Sequence, residues 1–351
     1  MSQGKIIKVL VVDDIPVFRE IITKGIATDK HIQVISVANN PYDAVDKIIR
    51  YRPDVMICEI EMPRMNGLEF IKKLMPQYPM PVIVVSRISG AVFDAIKAGA
   101  VEFICKPNVN VVCDVARFIN EMIEKIKIAA VSNVCKQVYG NENVHLHTRG
   151  RTSKTKLIAI GASTGGTDAI YRILNKLPAD VPGIVIVQHI PPVFSRMFAE
   201  RLNNTIGLNV KEACTGDVLE RGKVIIAPGD MHMRLKKSGD KYVVECFQDE
   251  KVNGHCPAVD VLFHSVAKLT ENNTVGIILT GMGYDGAKGL LAMKENGAKT
   301  IGQDESSSVV YGMPKVAYNI GAVDRQVPLD HVADTLCSIV FPNDYVERTS
   351  I

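Results

Sequence analysis

The sequence predicts an α/β protein made of two doubly wound parallel-sheet domains, one following the other. Three observations predict it. Five short Val/Ile-rich runs alternate with amphipathic helical stretches in the first third of the chain. The same rhythm resumes with unrelated sequence after a polar stretch near Gly140. A length of 351 residues also exceeds one ordinary core, at roughly 100 to 200 residues per domain.

In the first half the strand-length runs are Val9–Val12, Gln33–Ala38, Asp54–Ile60, Pro81–Ser86 and Glu102–Lys106. Helical patterns lie between or after them at Val17–Thr28, Tyr42–Tyr51, Leu68–Met75 and Val111–Ala130. Strands that alternate with helices imply a parallel sheet covered on both faces. The first domain is expected over 1–130 and a linker over 131–156. The linker holds Gly140, Asn141, Asn143 and Gly150, then Arg149, Arg151, Lys154 and Lys156 near its end. The second domain is expected over 157–351. Its strand candidates are Leu157–Ile160, Gly183–Val187, Val224–Ala227 and Val275–Thr280. Lys241–Cys246, preceded by Ser238-Gly239-Asp240, reads as one arm of a hairpin at the sheet edge. Thr167–Leu177, Ser195–Asn203, Ala258–Leu269 and Ala287–Asn296 read as helices, the last closed by Gly297.

Composition narrows the function classes. Hydrophobic residues make up 47% and charged residues 23%, enough burial to exclude wholesale disorder. A net charge of +3 gives no reason to expect nucleic acid or an anionic membrane as partner. The eight cysteines are scattered with no C-x-x-C pair, which suits a reducing compartment better than a disulfide frame or zinc site. The apolar start at Ile6 is broken by Lys8 and stopped by Asp13-Asp14, so it reads as a buried strand. No run reaches the eighteen or so apolar residues of a membrane span. A soluble, cytoplasmic protein without membrane insertion is the expectation.

In an open α/β sheet, ligands gather beyond the C-terminal strand ends. In the first half those ends carry Asp13, Asp14, Glu59, Ser86 and Lys106. The carboxylates suit Mg²⁺, with Asp13 and Asp14 as its ligands, and the lysine can balance charge.

Three signals stand out in the second half. Gly161-Ala162-Ser163-Thr164-Gly165 matches G-x-S-x-G between a strand and a helix, a turn that lifts a serine hydroxyl clear of a sheet. No Lys-Ser or Lys-Thr follows Gly166, so a Walker phosphate loop fails. His189 directly follows an apolar strand; among the other histidines, His232 is its nearest rival. Thr280-Gly281-Met282-Gly283-Tyr284-Asp285-Gly286 contains a literal G-x-G-x-x-G with Asp304 beyond it, so a dinucleotide site competes with a loop that presents Asp285. Ser163, His189 and Asp285 each end a strand of one parallel sheet and can therefore meet in one crevice, in an order the chemistry does not restrict. A nucleotide-binding oxidoreductase and a silent adaptor are the other classes. Cofactor titration and absence of ester turnover, respectively, would reveal them.

Taken together these motifs resemble a known family. Asp13-Asp14, Glu61-Met-Pro-Arg-Met-Asn-Gly67 and Lys106-Pro107 are similar to response-regulator receiver domains. Gly161–Gly166, Val187-Gln-His-Ile-Pro191, Ala227–His232, Pro257–Leu262, Thr280–Gly286, Gln303–Glu305 and Tyr311–Pro314 resemble chemotaxis protein-glutamate methylesterases, nearly over the full length. The resemblance implies a flavodoxin-like receiver followed by a Rossmann-like methylesterase domain. It implies Ser163, His189 and Asp285 as the catalytic residues, an oxyanion site at Met282 joined by Thr164, and Ser86, Phe103 and Lys106 as receiver switch positions. It implies chemoreceptor glutamyl methyl esters as substrate, glutamine deamidation as a related activity, no cofactor for catalysis, and a chemotaxis histidine kinase as partner. One position departs: Glu59 stands where that family carries a phosphoacceptor aspartate. Asp54 cannot stand in, lying five residues back and about 16 Å away along a strand.

Overall fold

The computed structural model describes residues 5–63, 65–87, 90–109, 111–134, 156–269 and 273–342. The chain divides into two compact units, Met1–Tyr139 and Gly140–Ile351. The expected linker over 131–156 lies for most of its length outside the described residues.

In the first unit β1 (Ile7–Val12), β2 (Ile32–Ala38), β3 (Val55–Glu59), β4 (Val82–Ser86) and β5 (Glu102–Cys105) form one sheet in the order β2-β1-β3-β4-β5. Every pairing is parallel. The helices are α1 (Pro16–Ile26), α2 (Pro41–Tyr51), α3 (Gly67–Leu74), α4 (Ala91–Lys97) and α5 (Val112–Ala129). Strand β3 is buried at all five positions, as expected of a central parallel strand covered on both faces. Two helices start at asparagine caps: Asn40 accepts from Asp43 N–H at 3.0 Å and Asn66 from Glu69 N–H at 2.8 Å.

The second unit carries a seven-stranded sheet in the order β14-β13-β12-β6-β7-β9-β8. Its strands are β6 (Leu157–Ala162), β7 (Gly183–Gln188), β8 (Asn209–Glu212), β9 (Lys223–Ile226), β12 (Thr274–Ile278), β13 (Lys299–Gln303) and β14 (Arg325–Val327), all pairing parallel. The chain order reverses around β6, with β12 on one side and β7 on the other. That switch point opens a crevice at the strand ends. The helices are α6 (Gly166–Leu174), α7 (Phe194–Thr205), α8 (Val259–Leu269), α9 (Ala287–Glu295), α10 (Met313–Asn319) and α11 (Leu329–Val340).

One expectation is corrected. The hairpin β10 (His232–Ser238) and β11 (Lys241–Phe247) exists, but it forms its own two-stranded sheet and does not extend the edge of the main one. The outer edge of β11 pairs with the 216–219 loop: Val244 N–H donates to Asp217 O at 2.8 Å and Gly216 N–H to Val244 O at 2.9 Å. Its apolar face closes over α8 through Leu235 and Val244, which join one core with Val259, Leu262 and Phe263. Among the described residues no helix is long and apolar enough to cross a membrane.

Candidate active site

The three strand ends of the second unit converge. Register pairs Ala162 with Gln188, so Ser163 and His189 leave neighbouring strands side by side, and His189 N–H donates to Ala162 O at 3.1 Å. Ser163 N–H donates to Thr280 O at 3.0 Å, which ties the Ser163 turn to the end of β12. Gly281 is required there, since a Cβ at that position would lie 2.7 Å from Ser163 Cβ. Gln188 braces the same turn from below, donating from its amide to Ser163 O at 2.9 Å and His189 O at 3.1 Å.

Asp285 is buried and meets four donors. Its Oδ2 lies 2.9 Å from His189 Nε2 and accepts from Val259 N–H at 2.7 Å. Its Oδ1 accepts from Asn253 Nδ2 at 2.8 Å and Asp260 N–H at 3.2 Å. Burial alone would raise its pKa. The His189 bond and charge, with the Asn253 and Val259 donors, outweigh burial and hold the carboxyl below its ordinary value. An ionised Asp285 assigns the imidazole proton to Nε2 and leaves the lone pair on Nδ1. That nitrogen is buried and has no partner, so the Ser163–His189 hydrogen bond is open in the ligand-free site. Bonds of this kind commonly tighten only around substrate.

Near Ser163, Met282 is exposed and Thr164 is buried. The Gly281 backbone is pinned on both sides, its N–H by Val310 O and its carbonyl by Gly312 and Met313 N–H, which fixes the peptide leading into Met282. Thr280 Oγ1 donates to Thr164 O at 2.9 Å, which fixes the peptide after Thr164. The positive end of α6 begins three residues beyond Ser163 and favours negative charge there.

The rival readings lose ground at this geometry. Both His232 nitrogens are committed, Nε2 to Glu250 O at 2.9 Å and Nδ1 to Ala258 N–H at 3.2 Å. Asp304 is engaged by Ser306 and Ser307, which leaves it poorly placed for a ribose. The Gly281–Gly286 loop spends its shape on Asp285.

Sequence reasoning missed Asn253, His255 and Asp260. Asn253 donates to both Asp285 and Asp260, the latter at 2.7 Å, and His255 stacks on His189 with ring centroids 3.7 Å apart and planes 13° apart. A signal was present: Asn253-Gly254, between Val252 and His255, is the usual pair for a two-residue hairpin turn. Both residues adopt positive φ, 55° and 85°, and Val252 and His255 exchange backbone hydrogen bonds of 3.0 Å.

The first unit gathers its own strand-end residues. Lys106 Nζ is buried between Asp13 Oδ2, at 2.7 Å but without hydrogen-bond alignment, and Glu59 Oε2 in closer contact. It also sits 4.2 Å from the Phe18 ring centroid. Asp13 Oδ1 accepts from Ile15 N–H at 2.8 Å and Glu59 Oε1 from Glu61 N–H at 2.9 Å. Burial raises the Glu59 pKa, Asp13 adds to the rise, and Lys106 and Glu61 only partly oppose it. Ser86 Oγ and Asp14 Oδ1 are buried without partners, and Phe103 packs edge-on against Phe93 at 6.3 Å. As arranged, this donor set does not fit Mg²⁺. The Lys106 ammonium occupies the space shared by the Asp13 and Glu59 oxygens, and among the described residues no three acidic, histidine or cysteine side chains converge on a cation position. Of the two expected Mg²⁺ ligands, Asp13 is engaged by Lys106, and Asp14 Oδ1 is buried without a partner.

A serine-bearing turn, an imidazole and a buried carboxylate at adjoining ends of a parallel sheet make the arrangement of an α/β hydrolase. Comparison places it further. The CheB methylesterase model matches residues 158–336 and the response regulator receiver domain model residues 9–117. The chain is 52% identical over 336 residues to a protein-glutamate methylesterase/protein-glutamine glutaminase of Syntrophomonas wolfei, covering 95% of this chain and 98% of that one. It is 46% identical to a relative of the same name from Syntrophotalea carbinolica, covering 96% and 98%. The Thermotoga maritima CheB methylesterase catalytic domain, a crystal structure, matches with a TM-score of 0.52 at 38% identity, over 53% of this chain and 99% of that one. The chain belongs to the CheB methylesterase family, with a receiver domain ahead of the catalytic one.

Proposed function

We propose that the chain hydrolyses glutamyl γ-methyl esters on the cytoplasmic helices of methyl-accepting chemotaxis receptors, and deamidates receptor glutamines by the same route. The observation that carries this reading is the Asp285–His189 pair beside Ser163 at the switch point of the sheet. Ser163 Oγ attacks the ester carbonyl as His189 Nδ1 takes its proton. The tetrahedral intermediate collapses when His189 returns that proton to departing methoxide, releasing methanol. Water then attacks the acyl-enzyme, again through His189, and frees the glutamate and the serine. Asp285 stays ionised and stabilises the imidazolium. The Met282 N–H, with Thr164, faces the oxyanion, a contribution of about 3 kcal/mol per donor. Residues 157–351 supply this chemistry, which needs no cofactor. With a glutamine, ammonia leaves in place of methanol. The decisive measurement is methanol release from methylated receptor by the full chain and by Ser163→Ala. Equal release would end the serine reading.

The receiver reading follows from Lys106. Glu59 reaches this buried ammonium with its own carboxylate, one methylene further out than aspartate, and Asp13 holds the other side. In our reading position 59 takes no phosphoryl group, because positioning dominates phosphoryl transfer and the longer acid misplaces the attacking oxygen. One charge and two oxygens imitate a phosphate, with about −2 and three, only in part. The esterase is therefore partly active without the chemotaxis histidine kinase that would otherwise be the receiver's partner. The protein works in the cytoplasm, without membrane insertion or nucleic acid. A small-molecule phosphodonor with Mg²⁺, followed by intact mass and turnover, tests this. A labile phosphoryl adduct on Glu59 with a matching rise in activity would show it to be wrong.

A further inference from the structure

His189 makes one side-chain hydrogen bond, Nε2 to Asp285, and its Nδ1 has none. One bond fixes one ring atom. It leaves the ring free to tilt about that contact, since the terminal torsion of histidine is broad. A tilt would carry Nδ1 off the line of proton transfer without breaking the Asp285 bond. Something else must hold the plane.

The group against that plane is His255. The two imidazoles lie nearly parallel, 13° apart, at 3.7 Å between centroids, which is ring-to-ring contact. His255 is itself fixed by the Asn253-Gly254 turn, whose two backbone bonds lock Val252 to His255. The same turn grips the acid: Asn253 Nδ2 spans Asp285 Oδ1 and Asp260 Oδ2, and Asp260 Oδ1 is anchored by Gly289 N–H at 2.7 Å. One short hairpin thus fastens the carboxylate through Asn253 and faces the imidazole with His255.

We propose that His255 is a positioning residue for the reaction: its stacked ring holds the His189 plane so that Nε2 stays on Asp285 while Nδ1 stays available to Ser163. This rests on the esterase reading above. A neutral ring suits the task, because a second positive charge in face contact would oppose the imidazolium formed at each proton transfer. Burial first, and the nearby His189 charge second, push the His255 pKa down to about 4, against opposing attraction from Asp285. The ring is therefore uncharged at neutral pH.

The test uses the full chain with methylated receptor and compares wild type, Ser163→Ala, His255→Ala and His255→Phe. Phenylalanine keeps a flat ring and discards every proton. His255→Ala is expected to lower kcat about 100-fold, the scale of a 1 Å misplacement, with KM within about twofold. His255→Phe is expected to regain at least about tenfold of that loss, because the plane is restored. Proton NMR without substrate supplies a second readout. The His189 Nε2–H resonance, sheltered by Asp285, should persist in wild type and His255→Phe and be lost to exchange in His255→Ala. The proposal is overturned if His255→Ala keeps kcat within twofold, if His255→Phe falls as far as His255→Ala, or if the resonance survives in His255→Ala. Failure of the esterase reading looks different: wild type and Ser163→Ala would then release methanol alike, while the NMR comparison would still report on the stack.

Discussion

The two units solve one problem in two ways. Each buries a carboxylate at the C-terminal end of a parallel strand, Glu59 in the receiver and Asp285 in the catalytic unit, and burial pushes both pKa values up. Asp285 ends below its ordinary value because four donors serve it: the His189 ring, the Asn253 amide and the N–H groups of Val259 and Asp260. Glu59 ends above because it has one N–H and a lysine shared with a second buried acid, Asp13. At Asp285 the His189 bond and charge lead, with neutral donors behind them, and together outweigh burial, whereas at Glu59 a lysine shared with Asp13 only partly opposes it. The first arrangement suits an acid that must stay charged through every turnover. The second neutralises the pocket internally.

The comparison breaks most readily at Ser163. Ser163→Ala should lower methanol release by about 10⁴- to 10⁶-fold while leaving the circular dichroism unchanged, since the members of a catalytic unit fail together. Asp285→Asn should cost about 10⁴-fold by offering the imidazole the wrong tautomer, with secondary structure again intact. Ser163→Ala retaining a tenth of wild-type turnover would end the serine reading, and Asp285→Asn doing so would show that the Asp285 cluster is structural.

At the receiver the expected loss is in stability instead. Lys106→Met strands Asp13 and Glu59 without their cation, and breaking a buried pair costs about 3–5 kcal/mol. Calorimetry should show one of two transitions moving down while methanol release at 25 °C persists. Glu59→Asp sharpens the same contrast: shortening the acid should permit a labile phosphoryl adduct, visible in the intact mass, that wild type does not form.

The strand-end residues of both units were legible in the sequence because each follows an apolar run, and a parallel strand delivers its next residue to the same edge of the sheet. Ser163 and His189 follow their strands directly, whereas Asp285 lies in the glycine loop seven residues beyond β12, and the grouping of the three leaned on the family resemblance. The residues that brace them were harder to see. Gln188, Asp260 and Gln303 lie within motifs read for other reasons, and their roles depend on contacts across the sheet: Gln303 Oε1, for example, accepts from Thr280 N–H at 2.8 Å. Asn253-Gly254 carried a local signal, but its target, a carboxylate 32 residues away, follows only from tertiary packing. The hairpin β10–β11 failed differently. Its alternation showed a half-buried strand, yet which surface it covers depends on α8, far along the chain.

The smallest effect separates the two units by their response to acid. For His255 the folded pKa of about 4 lies below the ordinary 6.5, so between those values the unfolded chain binds more protons. Stability from this group is therefore complete above about pH 6.5 and is lost as pH falls toward 4. Asp285, also lowered, adds a further loss only below its ordinary value of 3.8. Glu59 has the opposite sign. Its folded pKa is raised above 4.5, so the folded receiver binds the extra proton and gains stability as pH falls toward 4.5. Asp260, raised above 3.8 by burial, has the Glu59 sign within the catalytic unit and offsets part of the His255 loss. From pH 7 to pH 5 the His255 loss should still move the catalytic transition down in calorimetry while the receiver transition holds or rises, the two being distinguished by the Lys106→Met shift. His255→Phe should flatten the catalytic unit's decline and leave the receiver's trend unchanged. Parallel decline of both transitions would mean that the Glu59–Lys106–Asp13 cluster does not strain the receiver at neutral pH, and the contrast between the two buried acids would lose its energetic content.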